Sequence, residues 1–272
     1  MDLGLQGKRA IVTGGSLGIG KAIARELARE GADVVIVART KERLQAAAQE
    51  LATETRRRII PLAADVTSKA QVDDMVAEAA RQLGGVHILV NSGSPPGGSP
   101  GATGPIETVV DEDLLHDFNV KYVGALRCAR AVIPHMKEQR WGRIINISGT
   151  NARNAGNLSG GARNTSLVHL TKTLAVQLGR FGITVNCVHP GQTRTERTPR
   201  QLAARAAELG ITPEEVEKRD FAPDGPRSNA IGRIVDAAEI AYVAAFLASE
   251  KSWAISGELV VATGGAGKAV YY

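Results

Sequence analysis

The chain reads as an α/β protein in which one doubly wound domain carries a seven-stranded parallel sheet with helices on both faces. Three observations predict this. Short runs rich in Val, Ile and Leu alternate with longer stretches whose apolar residues recur every three to four positions. A glycine-rich turn, Thr13-Gly14-Gly15-Ser16-Leu17-Gly18-Ile19-Gly20, joins the first run to the first helical stretch. The alternation shows no domain boundary, so residues 1–272 are expected to form a single unit.

The elements follow in order. Arg9-Ala10-Ile11-Val12 predicts a buried first strand, and Ile19, Ala22, Ile23, Leu27 and Ala28 give a helix over 18–30 one apolar face. Gly31 is placed to close that helix. A strand at 33–37, a helix at 41–55, a strand at 58–62 and a helix at 68–83 continue the rhythm, with Gly84-Gly85 as the next stop signal. The remaining strands are expected at 87–91, 142–147, 183–188 and 258–261, and the remaining helices at 112–139, 159–180 and 237–249. Two segments interrupt the pattern. Residues 92–106 form a Gly/Pro/Ser loop, and residues 191–232 a long insertion with a helix near Gln201–Leu209 and a second start at Thr212-Pro213. At the carboxyl edge of a parallel sheet such an insertion is expected to be a substrate lid; the alternative is a surface excursion.

The glycine turn is where chemistry is expected. A helix N-terminus presents unpaired N–H groups and the positive end of its dipole, and bare glycines let a diphosphate come close. The spacing G-x-x-x-G-x-G, set by Gly14, Gly18 and Gly20, differs from the commoner G-x-G-x-x-G, and a purely structural tight turn is the alternative. Past the second strand lies Arg39, with Lys41 nearby, where an acidic residue would take the ribose 2′-OH of NAD. A guanidinium suits a 2′-phosphate, which favours NADP(H) over NAD(H). Asp65-Val66 suits the adenine amino group, and Asp65 reads equally as a turn residue ahead of Ser68.

The bulk properties exclude several classes. The net charge is +5 with pI near 9.4, but the positives are scattered and Arg56-Arg57-Arg58 lacks interleaved aromatics, so no nucleic acid is expected as partner. The same mild basicity suits a phosphorylated cofactor or an acidic acyl carrier. Cys128 and Cys187 have no metal-type spacing and sit in apolar patterns, so buried thiols and no metal are expected. No apolar run approaches a membrane span, and Met1–Leu5 shows no leader, so a soluble cytoplasmic protein is expected.

Taken together, Thr13–Gly20, Asp65-Val66, Asn91-Ser92-Gly93, Asn119, Arg143–Ile147, Val185-Asn186 with Pro190-Gly191, and Gly257–Gly265 resemble the short-chain dehydrogenase/reductase family over nearly the whole chain. Gln192–Arg197 and Ile231-Gly232-Arg233 make it most similar to the β-ketoacyl-carrier-protein-reductase-like members. The resemblance implies a Rossmann-like fold and assigns Thr13, Gly14, Ser16, Leu17, Gly18, Ile19 and Gly20 to the diphosphate. It assigns Asn91, Ser92 and Gly93 to the adenosine ribose side, and Pro190, Gly191, Thr193 and Thr195 to the nicotinamide. It also implies a homotetramer or dimer packed through the two long helices, with Ala125-Leu126, Ala129 and Ala131-Val132 as the contact face.

The catalytic half departs from the family. Members use Asn, Ser, Tyr and Lys. The tyrosine exchanges a proton with the carbonyl oxygen, the lysine lowers its pKa and holds the nicotinamide ribose, the serine orients the carbonyl, and the asparagine supports a water relay. The tyrosine and lysine form Y-x-x-x-K, and none of Tyr122, Tyr242, Tyr271 or Tyr272 has Lys four residues on. Alignment on Leu167–Lys172 puts Gly160 at the tyrosine position and Asn164 at the lysine position; a one-residue slip gives Ser159 and Arg163. Asn119 matches the asparagine, and Ser148 stands beside Gly149, where the serine belongs. Tyr122 and His189 are substitute acids to weigh against ordinary packing, while His116 and His169 read as packing or surface residues.

Three functions stay open. The first is an NADP(H)-dependent oxidoreductase on a small carbonyl or hydroxyl substrate, free or linked to an acyl carrier or CoA, with an atypical acid site. The second is an NADP(H)-binding pseudoenzyme acting as sensor, scaffold or partner subunit. The third is a non-redox enzyme on the same fold.

Overall fold

The computed structural model describes residues 2–94 and 97–268, so Pro95-Pro96 of the predicted loop and the tyrosines Tyr271 and Tyr272 lie outside the described residues. Seven strands form one parallel sheet: β1 (Arg9–Thr13), β2 (Asp33–Ala38), β3 (Ile59–Ala63), β4 (Ile88–Asn91), β5 (Gly142–Ile147), β6 (Ile183–Pro190) and β9 (Leu259–Ala262). Their order is β3-β2-β1-β4-β5-β6-β9, with registers such as Thr13 opposite Val37 and Asn91. The order reverses at β1, so β1 and β4 leave a crevice at their carboxyl ends, as in other Rossmann-like folds. Val, Ile and Ala fill the inner strands because both faces are covered.

One face carries α1 (Gly18–Arg29), α2 (Lys41–Thr55) and α9 (Ala237–Ala248), whose Ile23, Leu27, Leu44, Ile240 and Ala244 are buried against Val12, Val34 and Val90. The other carries α3 (Lys69–Leu83), α5 (Gly124–Glu138) and α6 (Leu158–Leu178), which cover Ile11, Val35, Leu89 and Ile144. Gly84 closes α3 at φ +79°. Cys128 and Cys187 are both free thiols buried in the structure. Among the described residues no helix is long and apolar enough to cross a membrane.

The structure corrects two expectations. The helix expected over 112–139 is three pieces: α4 (Asp111–Phe118), a π-helical turn (Asn119–Val123) and α5. In the turn the Gly124 N–H donates to the Asn119 carbonyl, five residues back, where a regular helix would reach four. Ala125, Ala129 and Val132 do not form an outer face; they are buried inside the chain's own core with Cys128 and Met136. The exposed apolar residues on these helices are elsewhere, with Leu115 at 68% and Val176 at 77% exposure.

The 191–232 segment is folded. β7 (Thr193–Arg194) pairs with β8 (Val235–Asp236). Next come α7 (Thr198–Leu209) and α8 (Pro213–Asp220), and Thr212 caps α8 reciprocally with Glu215. Leu202, Ala206, Val216, Phe221 and Ile234 form a small core of their own. Asp220, almost fully buried, pairs with Arg205 and Arg227 beneath it.

Candidate active site

The crevice wall at β1 is built of backbone. Gly14 has φ +69°, and a Cβ there would lie 2.8 Å from the Ser92 carbonyl oxygen, so only glycine fits. A Cβ on Gly20 would run into the Gly14 carbonyl. Thr13 Oγ1 accepts from the N–H groups of Ser92 and Gly93, both at 3.1 Å, and so ties the β1 turn to the β4 end. Ser16 is buried, Ile19 packs on the core, and Leu17 precedes α1 without a side-chain cap. The first turn of α1 therefore keeps free donors, and one of them is in use. Gly18 N–H donates to Glu196 Oε2 at 2.9 Å, so a carboxylate of this chain rests where the glycine turn favours an anion.

These residues fit a dinucleotide. The glycines leave room for a diphosphate, and the Glu196 contact shows that the helix start accepts negative charge. Arg39 is exposed just past β2, and its charge reaches Asp65 at the end of β3. Burial raises the Asp65 carboxyl, but hydrogen bonds from the Thr67 N–H and hydroxyl, with Arg39 behind them, outweigh this and hold it below the usual range. Asp65 thus serves as the turn residue ahead of Ser68, and Ser68 caps α3. Val66 lines the crevice with Thr13, Asn91, Ser92, Gly93, Ser94 and Lys121.

Farther along, Pro190 ends β6, and the Gly191 N–H bonds the Ala262 carbonyl at 3.0 Å. Thr193 Oγ1 returns to the Gly191 carbonyl, and the Thr195 methyl is within 3.4 Å of a Cβ built on Gly18. The predicted nicotinamide segment and the predicted diphosphate turn therefore meet.

At the β5 end the expected catalytic residues divide. The Ser148 hydroxyl is buried and donates to the Asn164 carbonyl at 3.0 Å. A Cβ on Gly149 would come 3.0 Å from Asn164 Nδ2, and one on Gly160 would come 2.5 Å from Asn151 Nδ2. Ser148, Gly149 and Asn164 thus share one wall. Ser159 and Arg163 are engaged by Asp117 instead. Asp117, 1% exposed, accepts from the Ser159 hydroxyl at 2.5 Å and from the Ser99 N–H and hydroxyl, with Arg163 at 3.6 Å. Burial raises this carboxyl, yet the Ser159 and Ser99 bonds and the Arg163 charge outweigh it and keep Asp117 ionised.

Asn119 is held by a neighbour on its own helix. Its Oδ1 accepts from Arg127 at 2.8 Å, and the same guanidinium reaches the Val66 carbonyl. The side chain that enters the crevice from the π turn is Lys121, whose Nζ donates to the Ser148 carbonyl at 3.3 Å. Nothing in the helical pattern marks Lys121, Asp117 or Glu196. The one sequence signal is a lysine inside the apolar run Val120-Lys121-Tyr122-Val123. Tyr122 packs against Phe118, ring centroids 5.2 Å apart, and so takes the packing role. His189 is fully buried with neither ring nitrogen bonded, and burial, then Arg153 and Lys121, push it down to about 4.

Comparison with known proteins gives concordant relatives. The family model described as short chain dehydrogenase matches residues 8–206. An uncharacterized oxidoreductase, YxjF, of Bacillus subtilis (strain 168) is 36% identical over 259 residues, covering 94% of this chain and 96% of that protein. L-Sorbose reductase from Gluconobacter frateurii, solved with NADPH and L-sorbose, superposes with a TM-score of 0.89 at 30% identity, covering 97% of this chain and 98% of the other. An NAD+-bound xylitol dehydrogenase superposes at 0.82 with 26% identity, covering 96% and 99%.

Proposed function

Because the chain belongs to the short chain dehydrogenase family, we propose that it is an NADP(H)-dependent oxidoreductase acting on a small carbonyl or hydroxyl substrate. The observation that carries the cofactor choice is Arg39, exposed at the end of β2 with Asp65 beside it and the glycine turn adjoining. A guanidinium there holds a 2′-phosphate, where an acidic residue would hold a free ribose hydroxyl. The cofactor, when bound, supplies or takes up a hydride at its nicotinamide. The α1 N-terminus with Gly14, Gly18 and Gly20 holds the diphosphate, and Asn91, Ser92 and Gly93 line the adenosine ribose side. Pro190, Gly191, Thr193 and Thr195 line the nicotinamide end, the Ser148 hydroxyl would turn from the Asn164 carbonyl to orient the substrate oxygen, and the folded 191–232 segment closes the crevice from water.

The NADPH-bound sorbose reductase supports this reading, and the NAD+-bound xylitol dehydrogenase shows that the fold serves either cofactor. A titration decides between them. Nicotinamide fluorescence is expected to report tight NADPH binding and at least ~10-fold weaker NADH binding. Equal affinities would remove Arg39 from the role. Failure to bind either nucleotide would remove the oxidoreductase reading.

A second reading is favoured by one specific feature: Gly149, Gly160 and Asn164 bring no proton donor to the positions where the family resemblance expects serine, tyrosine and lysine. On that reading the chain binds NADP(H) without turnover and acts as a sensor or partner subunit. Steady consumption of NADPH with L-sorbose or an acetoacetyl thioester, or NADP+ reduction with xylitol, would exclude it.

A further inference from the structure

Hydride addition to a carbonyl leaves negative charge on oxygen, and a proton must reach that oxygen from a nearby group. Gly160 cannot give one. Among the described residues, the titratable side chains at the ends of β4, β5 and β6 include Asp117, Lys121, Arg163, Cys187 and His189, with Arg153 beside His189, and four of these five are unsuited. Asp117 is committed to two serines and Arg163, and it stays ionised. Arg163 is its counter-ion and reaches Ser94 at 3.4 Å. His189 is neutral in its buried site and has no proton to spare at neutral pH. The Cys187 thiol is buried and pushed up to about 11.

Lys121 is placed differently. It leaves the π turn toward the crevice and lines it together with Thr13, Asn91, Ser92, Gly93 and Ser94. Its Nζ is bonded to the Ser148 carbonyl, while the Ser148 hydroxyl is bonded to the Asn164 carbonyl. One serine is thus held from two helices, by an ammonium on the π turn and by the backbone of α6. Position 164, where the family resemblance expects the lysine, is Asn, and Lys121 brings an ammonium to the same serine. Resting on the oxidoreductase reading above, we propose that Lys121 is the proton donor of the reaction and stands in for the missing tyrosine–lysine pair.

The step balances. As hydride and its electron pair go to the carbonyl carbon, the π pair moves to oxygen. One N–H bond of Lys121 breaks, and its proton joins that oxygen to form the alcohol. The reduced nicotinamide is oxidised, the carbonyl is reduced, and the neutral amine regains a proton from solvent. The surroundings assist. Burial, then Arg163 from α6, push Lys121 down to about 8, with Cys187 on β6 opposing; His189 also faces it from β6. An ammonium at that value gives up its proton near neutral pH far more readily than a surface lysine.

The test uses the full chain with NADPH and the three probes named above. Lys121→Met is expected to lower kcat by ~10²–10⁴-fold, the range of general acid catalysis, while NADPH affinity changes less than about threefold. Added ethylamine is expected to restore part of the rate of Lys121→Met, with a pH profile that follows the added amine. The melting temperature of Lys121→Met at pH 7 is expected to rise, which separates the loss of rate from misfolding. In wild type, a 13C-labelled lysine Cε signal is expected to titrate near 8 and to be missing from the variant. Wild-type turnover with an unchanged rate and pH profile in Lys121→Met would overturn the donor role and leave the oxidoreductase reading standing. Loss of NADPH affinity with kcat retained would overturn it in favour of a ribose anchor. A wild-type protein that binds NADPH but turns over none of the probes would overturn both together.

Discussion

The two ends of the crevice are made of different materials. At β1 and β4 the wall is main chain, shaped by Gly14, Gly20 and the Thr13 hydroxyl, and its function needs the absence of side chains. At β5 and α6 the wall is set by side-chain donors, where the Ser148 hydroxyl and the Lys121 ammonium bond the main-chain carbonyls of Asn164 and Ser148 and Asp117 engages Ser159 and Arg163. The difference teaches that recognition of a diphosphate depends on the local backbone of one short segment. Delivery of a proton depends only on where a donor atom ends up, and several segments can provide one. A backbone site therefore has little freedom to move along the sequence, whereas a donor can migrate from one helix to another.

The sharpest way to break this contrast is at Gly20. A Gly20→Val change drives its side chain into the Gly14 carbonyl, and about 3 kcal/mol or more of strain is expected. NADPH binding should fall more than ~100-fold in a fluorescence titration, with a lower melting temperature. Retained affinity would mean that the turn does not hold the diphosphate.

Next in size is the acid limb of stability, which probes the side-chain end. His189 is held near 4 when folded, below its unfolded value of about 6.5. Between these values the unfolded chain binds the extra proton, so stability is full above about 6.5 and falls as the pH drops toward 4. Urea unfolding at pH 7.5 and 4.5 should differ by roughly 2–3 kcal/mol more in wild type than in His189→Leu. An equal loss in both proteins would show that His189 is not the buried neutral group.

Arg39→Ala sharpens the cofactor side. It should weaken NADPH by ~10–100-fold and leave NADH unchanged, the worth of one charge-assisted contact to a phosphate. Equal weakening of both nucleotides would show a general electrostatic effect instead.

The smallest expected effect is at Glu196, whose carboxylate a diphosphate must displace from the Gly18 N–H. Glu196→Gln should tighten NADPH by ~3–10-fold, because the free protein then spends less time with its own group in place. Weaker binding would mean that Glu196 helps to hold the cofactor through the loop.

What could be read from the sequence follows the same division. All seven strands of the main sheet lie within two residues of expectation, because short runs rich in Val, Ile and Leu mark parallel strands even where β5 and β6 admit Arg143, Asn146 and Asn186. The Gly14-to-Gly20 turn was legible because glycine is required there by geometry that nothing else satisfies. Arg39 stands out by its distance past the turn, and the NADPH and NADH titrations test its role. Lys121 was not legible, because a lysine in an apolar run looks like a surface residue unless the helix around it is known to be irregular. Asn119 was read by residue type, and the sequence does not show that its amide oxygen accepts from Arg127. The apolar residues Ala125, Ala129 and Val132 could have served either an interior or an interface, and composition does not say which side of a helix meets the sheet.

The π turn at Asn119–Val123 adds one residue to a helical circuit. Everything after it is rotated by about 100° relative to an uninterrupted helix. Upstream, Asp117 must point at Ser99 and Ser159; downstream, Cys128 and Val132 must point at the sheet. The extra residue lets one rod obey two orientations, and Lys121 sits on the joint. Removing a single residue from this stretch would force a choice between them. Either the carboxylate would leave its serines or the helix would roll off the sheet, and in both cases the ammonium would swing out of the crevice. Chain length at this joint therefore sets the aim of the side chain, much as the residue itself sets its chemistry.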